Sequence, residues 1–200
     1  MAAMIALAGC TATPATSPTQ DTGPVTAADQ IGNAAWLDGG QGAAVVSLGS
    51  SSCVPKAGEV IGSGQTITAN FAPLPADTVC TSDLAARASY LPIPDGIDPQ
   101  QNVVIIAAGG LTGSVELPGV STVGAPAEHA PSAGWVEGGN TMEGVGDGSF
   151  AFLTWGSSTC PPTVKSITAT SDSAVTVTLE ASTSTPCTMD IAPRVGLGEV

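Results

Sequence analysis

The sequence predicts an all-β protein of two tandem copies of a small disulfide-linked domain. Each copy is expected to be a β-sandwich or barrel-like unit, and the second is expected to be incomplete at its C-terminus. Short segments alternate apolar and polar residues, Gly and Pro interrupt most windows long enough for a helix, and three sequence blocks recur in the same order. Short strands with frequent turn signals are typical of sandwiches and small barrels.

Composition excludes several classes of partner. The chain has 200 residues, with 17 acidic against 4 basic side chains and a net charge of −13. This balance argues against nucleic-acid binding, because polyanions are held mainly by Lys and Arg, and against electrostatic docking on an anionic membrane. Charged residues are only 10% of the chain, so small apolar and hydroxyl residues must supply both core and surface.

The N-terminus carries the clearest motif. An apolar run ends in Leu7-Ala8-Gly9-Cys10 and then turns polar, which resembles the lipobox of bacterial lipoproteins. The resemblance implies that residues 1–9 are the remnant of a signal peptide and that Cys10 is lipidated, anchoring the chain outside the cytoplasm. No Lys or Arg precedes Cys10, unlike a complete signal peptide, so we expect the natural start to lie upstream of Met1. The alternative is an apolar start with an incidental cysteine.

Residues 10–30 are expected to form a disordered tether. They are rich in Thr, Pro, Ala and Ser, and such a segment buries too little apolar surface to offset its ordering entropy. The tether would hold the folded part clear of the membrane surface.

The rest of the chain is an internal duplication. The predicted organisation is copy 1 at residues 31–120, a linker at 121–131 and copy 2 at 132–200. In both copies, 27 positions separate the two cysteines. The matching blocks are 36–40 with 135–139, 49–55 with 156–162, and 80–87 with 187–194.

Each copy is predicted to contain strands at equivalent places. Residues 43–48 and 150–155 precede the first cysteine, and residues 67–71 and 175–179 alternate between the cysteines. After Arg87 the first copy continues into another apolar strand, whereas six residues follow Arg194. Copy 2 is therefore expected to lack its final strand or strands and to leave a sheet edge unprotected. Either the reading frame is cut short, or another segment covers that edge.

The repeat also selects the disulfides. With Cys10 lipidated, the other four cysteines allow three pairings, and the duplication favours Cys53–Cys80 with Cys160–Cys187. Each bridge would close a loop of about 28 residues, worth roughly 3–4 kcal/mol on the chain-entropy model. The spacing does not resemble zinc ligation, so no metal is expected.

Two charged positions recur with the cysteines. Asp83 and Asp190 are expected to accept hydrogen bonds from the Gly-Ser-Ser loops that the disulfides bring near. Arg87 and Arg194 also occupy matching positions. The alternative to a structural role is that these arginines bind an anionic ligand.

No residue is predicted to be catalytic. The single histidine, His129, lies in the linker, and the Ser-rich runs lack the Gly-x-Ser-x-Gly pattern of a nucleophile elbow. Trp36 and Trp135 hold equivalent positions and are expected to anchor the core. The alternative is a sugar-stacking platform that includes Trp155.

These observations predict a non-catalytic, lipid-anchored cell-envelope protein that presents two β-modules for binding or structural purposes. The membrane, through the lipid, and an unknown protein or envelope ligand are the expected partners, with no cofactor. One alternative is a secreted protein-binding or protease-inhibitor-like module. The other is a hydrolase with an unrecognised carboxylate or serine site.

Overall fold

A computed structural model describes residues 30–124, 128–138, 142, 145–171, 174–182 and 186–200. Cys10, the signal remnant and nearly all of the predicted tether lie outside the described residues.

The described part is almost entirely β, which confirms the predicted fold class. Its strands are β1 (Ile31–Leu37), β2 (Gly42–Gly49), β3 (Ala57–Ser63), β4 (Thr66–Phe71), β5 (Ala85–Pro92), β6 (Val103–Gly109), β7 (Gly113–Leu117), β8 (Ser132–Trp135), β9 (Ser149–Gly156), β10 (Thr163–Ser171), β11 (Ala174–Glu180) and β12 (Ala192–Glu199).

Copy 1 folds its seven strands into a barrel-like unit. One sheet has the order β1-β2-β5 and the other the order β3-β4-β6-β7. All pairings are antiparallel except that of β4 with β6, which is parallel. Ile31 N–H donates to Thr112 O at 2.9 Å, which joins the start of β1 to the start of β7. The core between the sheets includes fully buried Ile67, Phe71 and Ile105.

Copy 2 repeats this plan with five described strands. The sheet β8-β9-β12 corresponds to β1-β2-β5, and the hairpin β10-β11 corresponds to β3-β4. The registers agree, since Gly156 pairs with Ala192 as Gly49 pairs with Ala85. After Arg194, β12 continues to Glu199, and its pairing with β9 extends over the same residues. The described part of copy 2 thus has no counterpart of the β6-β7 pair.

The two copies pack face to face across their three-stranded sheets. A second core of small and aliphatic side chains lies between them, and it comprises Ala35, Leu37, Ala44, Ala88, Ala151 and Leu153. Alanine is suited to this position because its small side chain lets two sheets approach closely. Ala34 and Glu137 exchange backbone hydrogen bonds of 2.8 and 2.7 Å at the edge of this contact.

As a result, the sheet β1-β2-β5 is covered on both faces. Every residue of β2 is buried. Ala43 and Val45 face the core of copy 1, while Ala44 faces copy 2. Side chains alternate between the faces of a strand, so this one strand contributes to both cores.

Candidate functional site

The two disulfides join the predicted pairs and confirm the pairing chosen from the repeat. The Cα atoms are 5.6 Å apart in Cys53–Cys80 and 5.5 Å apart in Cys160–Cys187. Each bridge holds the Ser-rich loop after β2 or β9 against the segment that leads into β5 or β12. This places residues about 30 positions apart in one hydrogen-bonded cluster.

A threonine and an aspartate organise each loop. In copy 1, Asp83 Oδ1 accepts from Ser51 N–H at 3.2 Å and from the Thr81 hydroxyl. Thr81 N–H donates to Ser52 Oγ at 3.0 Å. Copy 2 repeats the arrangement with Asp190, Ser158, Thr188 and Thr159, and its corresponding N–H···O distances are 3.1 and 3.0 Å.

These hydrogen bonds shift the acidity of both carboxyl groups. The Thr81 hydroxyl, followed by Ser51, lowers the pKa of Asp83 to about 2. The Thr188 hydroxyl, followed by Ser158, lowers the pKa of Asp190 to about 2. Donors that bond the ionised form favour it. Both aspartates are therefore ionised at neutral pH and act as fixed acceptors for the loops.

The two arginines secure the same loops from the other side. Arg87 is buried, and its Nη1 donates to Cys53 O at 2.6 Å and to Ser50 O at 3.3 Å. Arg194 is half-buried and donates to Cys160 O at 2.9 Å and to Trp155 O at 2.7 Å. Both guanidinium groups are thus directed at backbone carbonyls of their own copy.

The guanidinium groups explain the glycine that opens each loop. A Cβ atom at Gly49 would overlap the Arg87 guanidinium, and a Cβ atom at Gly156 would overlap that of Arg194. The recurrence of Gly at both positions therefore follows from the close approach of the arginine to the backbone.

The tryptophans do not behave as an equivalent pair of core anchors. Trp36 is partly buried against the core of copy 1, and its Nε1 donates to Pro118 O at 2.6 Å. Trp135 is 41% exposed and packs edge-on to Phe150, so the expectation of a core position is wrong for Trp135. Both rings line one cavity of about 330 Å³ together with Asp38 and Glu137.

Among the described residues, a groove of about 630 Å³ lies where β5 and β12 meet. We call it the junction groove, and residues of both copies line it: Ser51, Ser52, Lys56, Tyr90, Ser158 and Arg194 are among them. Burial, and then the charge of Asp38, raises the pKa of Tyr90. The Tyr90 ring meets Trp155 edge-on, with 5.9 Å between centroids.

Sequence reasoning identified the loops but missed Tyr90 and Lys56. Tyr90 is the only tyrosine of the chain, and Lys56 follows the first loop directly. Both become significant only because the two copies dock, and the repeat by itself does not show how the copies are oriented.

Other site classes find no support among the described residues. No group of three or more His, Cys, Asp or Glu side chains there could hold a metal ion. His129 is exposed, and its ring lies against Trp155 at 4.9 Å between centroids. In the same part of the chain, no helix is both long and apolar enough to cross a membrane.

Comparison of the chain with protein-family models, with curated proteins and with solved structures finds no match.

The acid limb of the stability curve is predicted to depend on the two aspartates. Their folded pKa of about 2 lies below the unfolded value of about 3.9. Their contribution to the free energy of unfolding is fully present above pH 4 or so, and it is lost as the pH falls through about 2. Urea titrations between pH 7 and pH 2 should show that Asp83→Ala and Asp190→Ala are less stable than the wild type at pH 7. The free energy of unfolding of both variants should also fall less steeply as the pH is lowered. The control Asp77→Ala, at an exposed position, should follow the wild type; the same curve for all variants would contradict the assignment.

Removal of a loop arginine is predicted to destabilise the fold without any ligand. Arg87→Met removes the Arg87 donor from the buried Cys53 carbonyl and from the half-buried Ser50 carbonyl, which keeps its bond from Cys53 N–H. The loss should cost about 1–3 kcal/mol in the free energy of unfolding. Arg194→Met should cost less, because Arg194 is half-buried and water can replace it.

The control is Lys165→Met, which removes an exposed ion pair with Glu180 and should change stability by no more than about 1 kcal/mol. Chemical denaturation measures all three variants. A loss for Arg87→Met no larger than that for Lys165→Met would show that the guanidinium does not hold the loop.

Proposed function

We propose that this protein is a non-catalytic, lipid-anchored cell-envelope protein whose two joined β-modules form a binding scaffold. Lipid at Cys10 would attach it to the membrane from the outside. Two disulfides support an extracytoplasmic location, because such bridges persist in oxidising compartments. The membrane and one envelope ligand are then its partners.

The observation that carries the binding role is the junction groove. It exists only because the copies pack against each other, and the Ser-rich loops of both copies line it. The disulfides, the aspartates and the arginines fix those loops from several directions. A preorganised site loses little conformational freedom on binding, so loops that are held in this way are suited to binding a ligand.

The composition of the groove indicates the class of ligand. Two of the four cations of the chain, Lys56 and Arg194, line it although the net charge is −13. Serine hydroxyls and Tyr90 add polar groups, and prolines such as Pro55 and Pro193 add rigid apolar walls. An extended polar chain that carries carboxylates, such as a cell-wall glycopeptide, fits these features.

The hydrogen bonding of the serines supports a non-catalytic role. A serine nucleophile needs a base held within hydrogen-bond reach. The described hydrogen bonds of Ser51 and Ser52 are instead with neighbours in the same cluster, an arrangement that holds the loop in place. These neighbours are Ser50, Cys53, Thr81 and Asp83.

Binding is tested by co-sedimentation with purified insoluble cell wall, which carries sugar hydroxyls, amides and carboxylates. Lys56→Glu should weaken binding by about tenfold, equivalent to about 1.4 kcal/mol, because it places a like charge at the groove. The matched control is Lys165→Glu, at the other lysine of the chain, on β10, which should bind as the wild type does. Equal losses in both variants, or no wild-type binding, would contradict the groove proposal.

Anchoring is tested separately with the full chain expressed behind a lipoprotein export signal in a bacterial host. The wild type should fractionate with membranes and incorporate labelled fatty acid. Cys10→Ser should be released without label, because the acyl chains supply the membrane affinity. Membrane retention of Cys10→Ser would contradict anchorage at this residue.

A further inference from the structure

The first repeated block, residues 36–40 with residues 135–139, contributes none of its described residues to the junction groove. The fold nevertheless brings the two copies of this block together. Ala34 and Glu137 exchange backbone hydrogen bonds of 2.8 and 2.7 Å, as residues of an antiparallel pair do. The residue two places after Ala34 then stands opposite the residue two places before Glu137, so the tryptophans of the two blocks lie side by side.

The acidic residue of each block lies at an opposite end of this contact. Glu137 pairs with Ala34, whereas Asp38 N–H donates to Ser132 Oγ at 2.8 Å, beyond the tryptophans. Asp38 is four residues after Ala34, which corresponds to about 13 Å of extended strand. The contact is thus approximately two-fold symmetric, with an acidic residue at each end and the tryptophans between them.

One cavity of about 330 Å³ is lined by both tryptophans and both acidic residues. We call it the tryptophan cavity. Pro118 and Val120, which follow β7, and Ala133 and Gly134 of β8 form further parts of its wall. A volume of this size is at the lower end of the range for small-molecule sites, so the cavity suits a small, slender ligand.

Both indole rings are held in position by contacts within the protein. Trp36 Nε1 donates to Pro118 O at 2.6 Å, and the Trp135 ring lies edge-on to Phe150 with 6.0 Å between centroids. Rings that are already fixed lose little freedom when a ligand binds. The face of an indole ring attracts cations through its quadrupole, and more strongly than the faces of other aromatic side chains do.

The carboxylates favour a cation as well. Among the described residues, no hydrogen bond or ion pair involves the carboxylate of Asp38 or that of Glu137. Both groups can therefore bond a ligand without giving up a described contact. The net charge of −13 further raises the concentration of cations near the protein.

We propose that the tryptophan cavity binds a linear aliphatic diamine or polyamine. One terminal ammonium group bonds the Asp38 carboxylate, the other bonds the Glu137 carboxylate, and the methylene chain between them lies against the two indole rings. A ligand with two similar ends matches a contact built from equivalent residues of a repeat. This cavity is separate from the junction groove, so the inference goes beyond the proposed function.

The spacing of the acidic residues distinguishes a diamine from other ligands. A divalent metal ion needs its oxygen ligands within about 2.6 Å of one centre, which residues placed about 13 Å apart along a strand do not provide. A small ion with a single positive centre would engage one carboxylate only. An uncharged sugar can stack on the rings, but it does not use the charge at the two ends.

The probe is 1,6-diaminohexane, titrated into the full chain by isothermal calorimetry at constant ionic strength. It should bind saturably, with one molecule per chain, and should change the tryptophan emission. Hexylamine has the same length and one charge, and it should bind at least about tenfold more weakly. Hexane-1,6-diol, which has no charge, should not bind measurably.

Variants locate the binding to the tryptophan cavity. Asp38→Asn and Glu137→Gln should each weaken diamine binding by about tenfold, and Trp135→Leu should weaken it and reduce the emission change. The matched control is Asp77→Asn, which changes the net charge by the same amount at an exposed position outside the cavity. It should bind the diamine as the wild type does. Urea denaturation without ligand checks that each variant is folded.

Three results would overturn the proposal. The first is the absence of saturable diamine binding to the folded wild type. The second is binding of hexylamine or the diol as tight as that of the diamine, which would assign the cavity to a ligand held by the rings. The third is an equal loss in Asp77→Asn and Asp38→Asn, which would show that only the overall charge attracts the diamine.

Discussion

The burial of the β1-β2-β5 sheet on both faces is the constraint on which the rest of the structure depends. Ala44 and its neighbours contact copy 2, while Val45 and its neighbours contact the core of copy 1. A chain with only 4% aromatic residues has few large side chains to fill a core. The packing of alanine-lined sheets against each other compensates for this lack of large side chains. Because the sheets approach closely, their small side chains make many van der Waals contacts.

That contact also determines where function can reside. The junction groove is bounded by β5 and β12, so neither copy could form it alone. Its Ser-rich walls are held by disulfides, by carboxylates that remain ionised at low pH, and by guanidinium groups that bond backbone carbonyls. Both arginines, half of the chain's cations, are used in this way, which leaves Lys56 as the exposed positive charge of the groove.

The sequence allowed prediction of what depends on local pattern and on the repeat. Alternation predicted β4 and β11, and equal spacing predicted Cys53–Cys80 and its counterpart. The docking of the two copies and the exposure of Trp135 depend on contacts between sheets that are distant in the sequence. The local hydrophobic pattern of a strand does not predict such contacts. One available signal was the run from Ala43 to Val46, which is apolar throughout and does not alternate. A continuous apolar run is typical of a strand buried on both faces.

The asymmetry between the described parts of the two copies is the remaining physical problem, because a sheet edge without a neighbouring strand invites uncontrolled pairing. The chain limits this hazard in two ways. The outward face of the hairpin is polar, with Thr176 and Thr178 exposed and Lys165 paired to Glu180, and the net charge of −13 keeps like chains apart. Copy 1, closed by its β6-β7 pair, supports the β8-β9-β12 sheet through the shared core. No residue of β11 lies in the core that the two copies share, so the described edge of β11 is separate from the contact that holds the copies together.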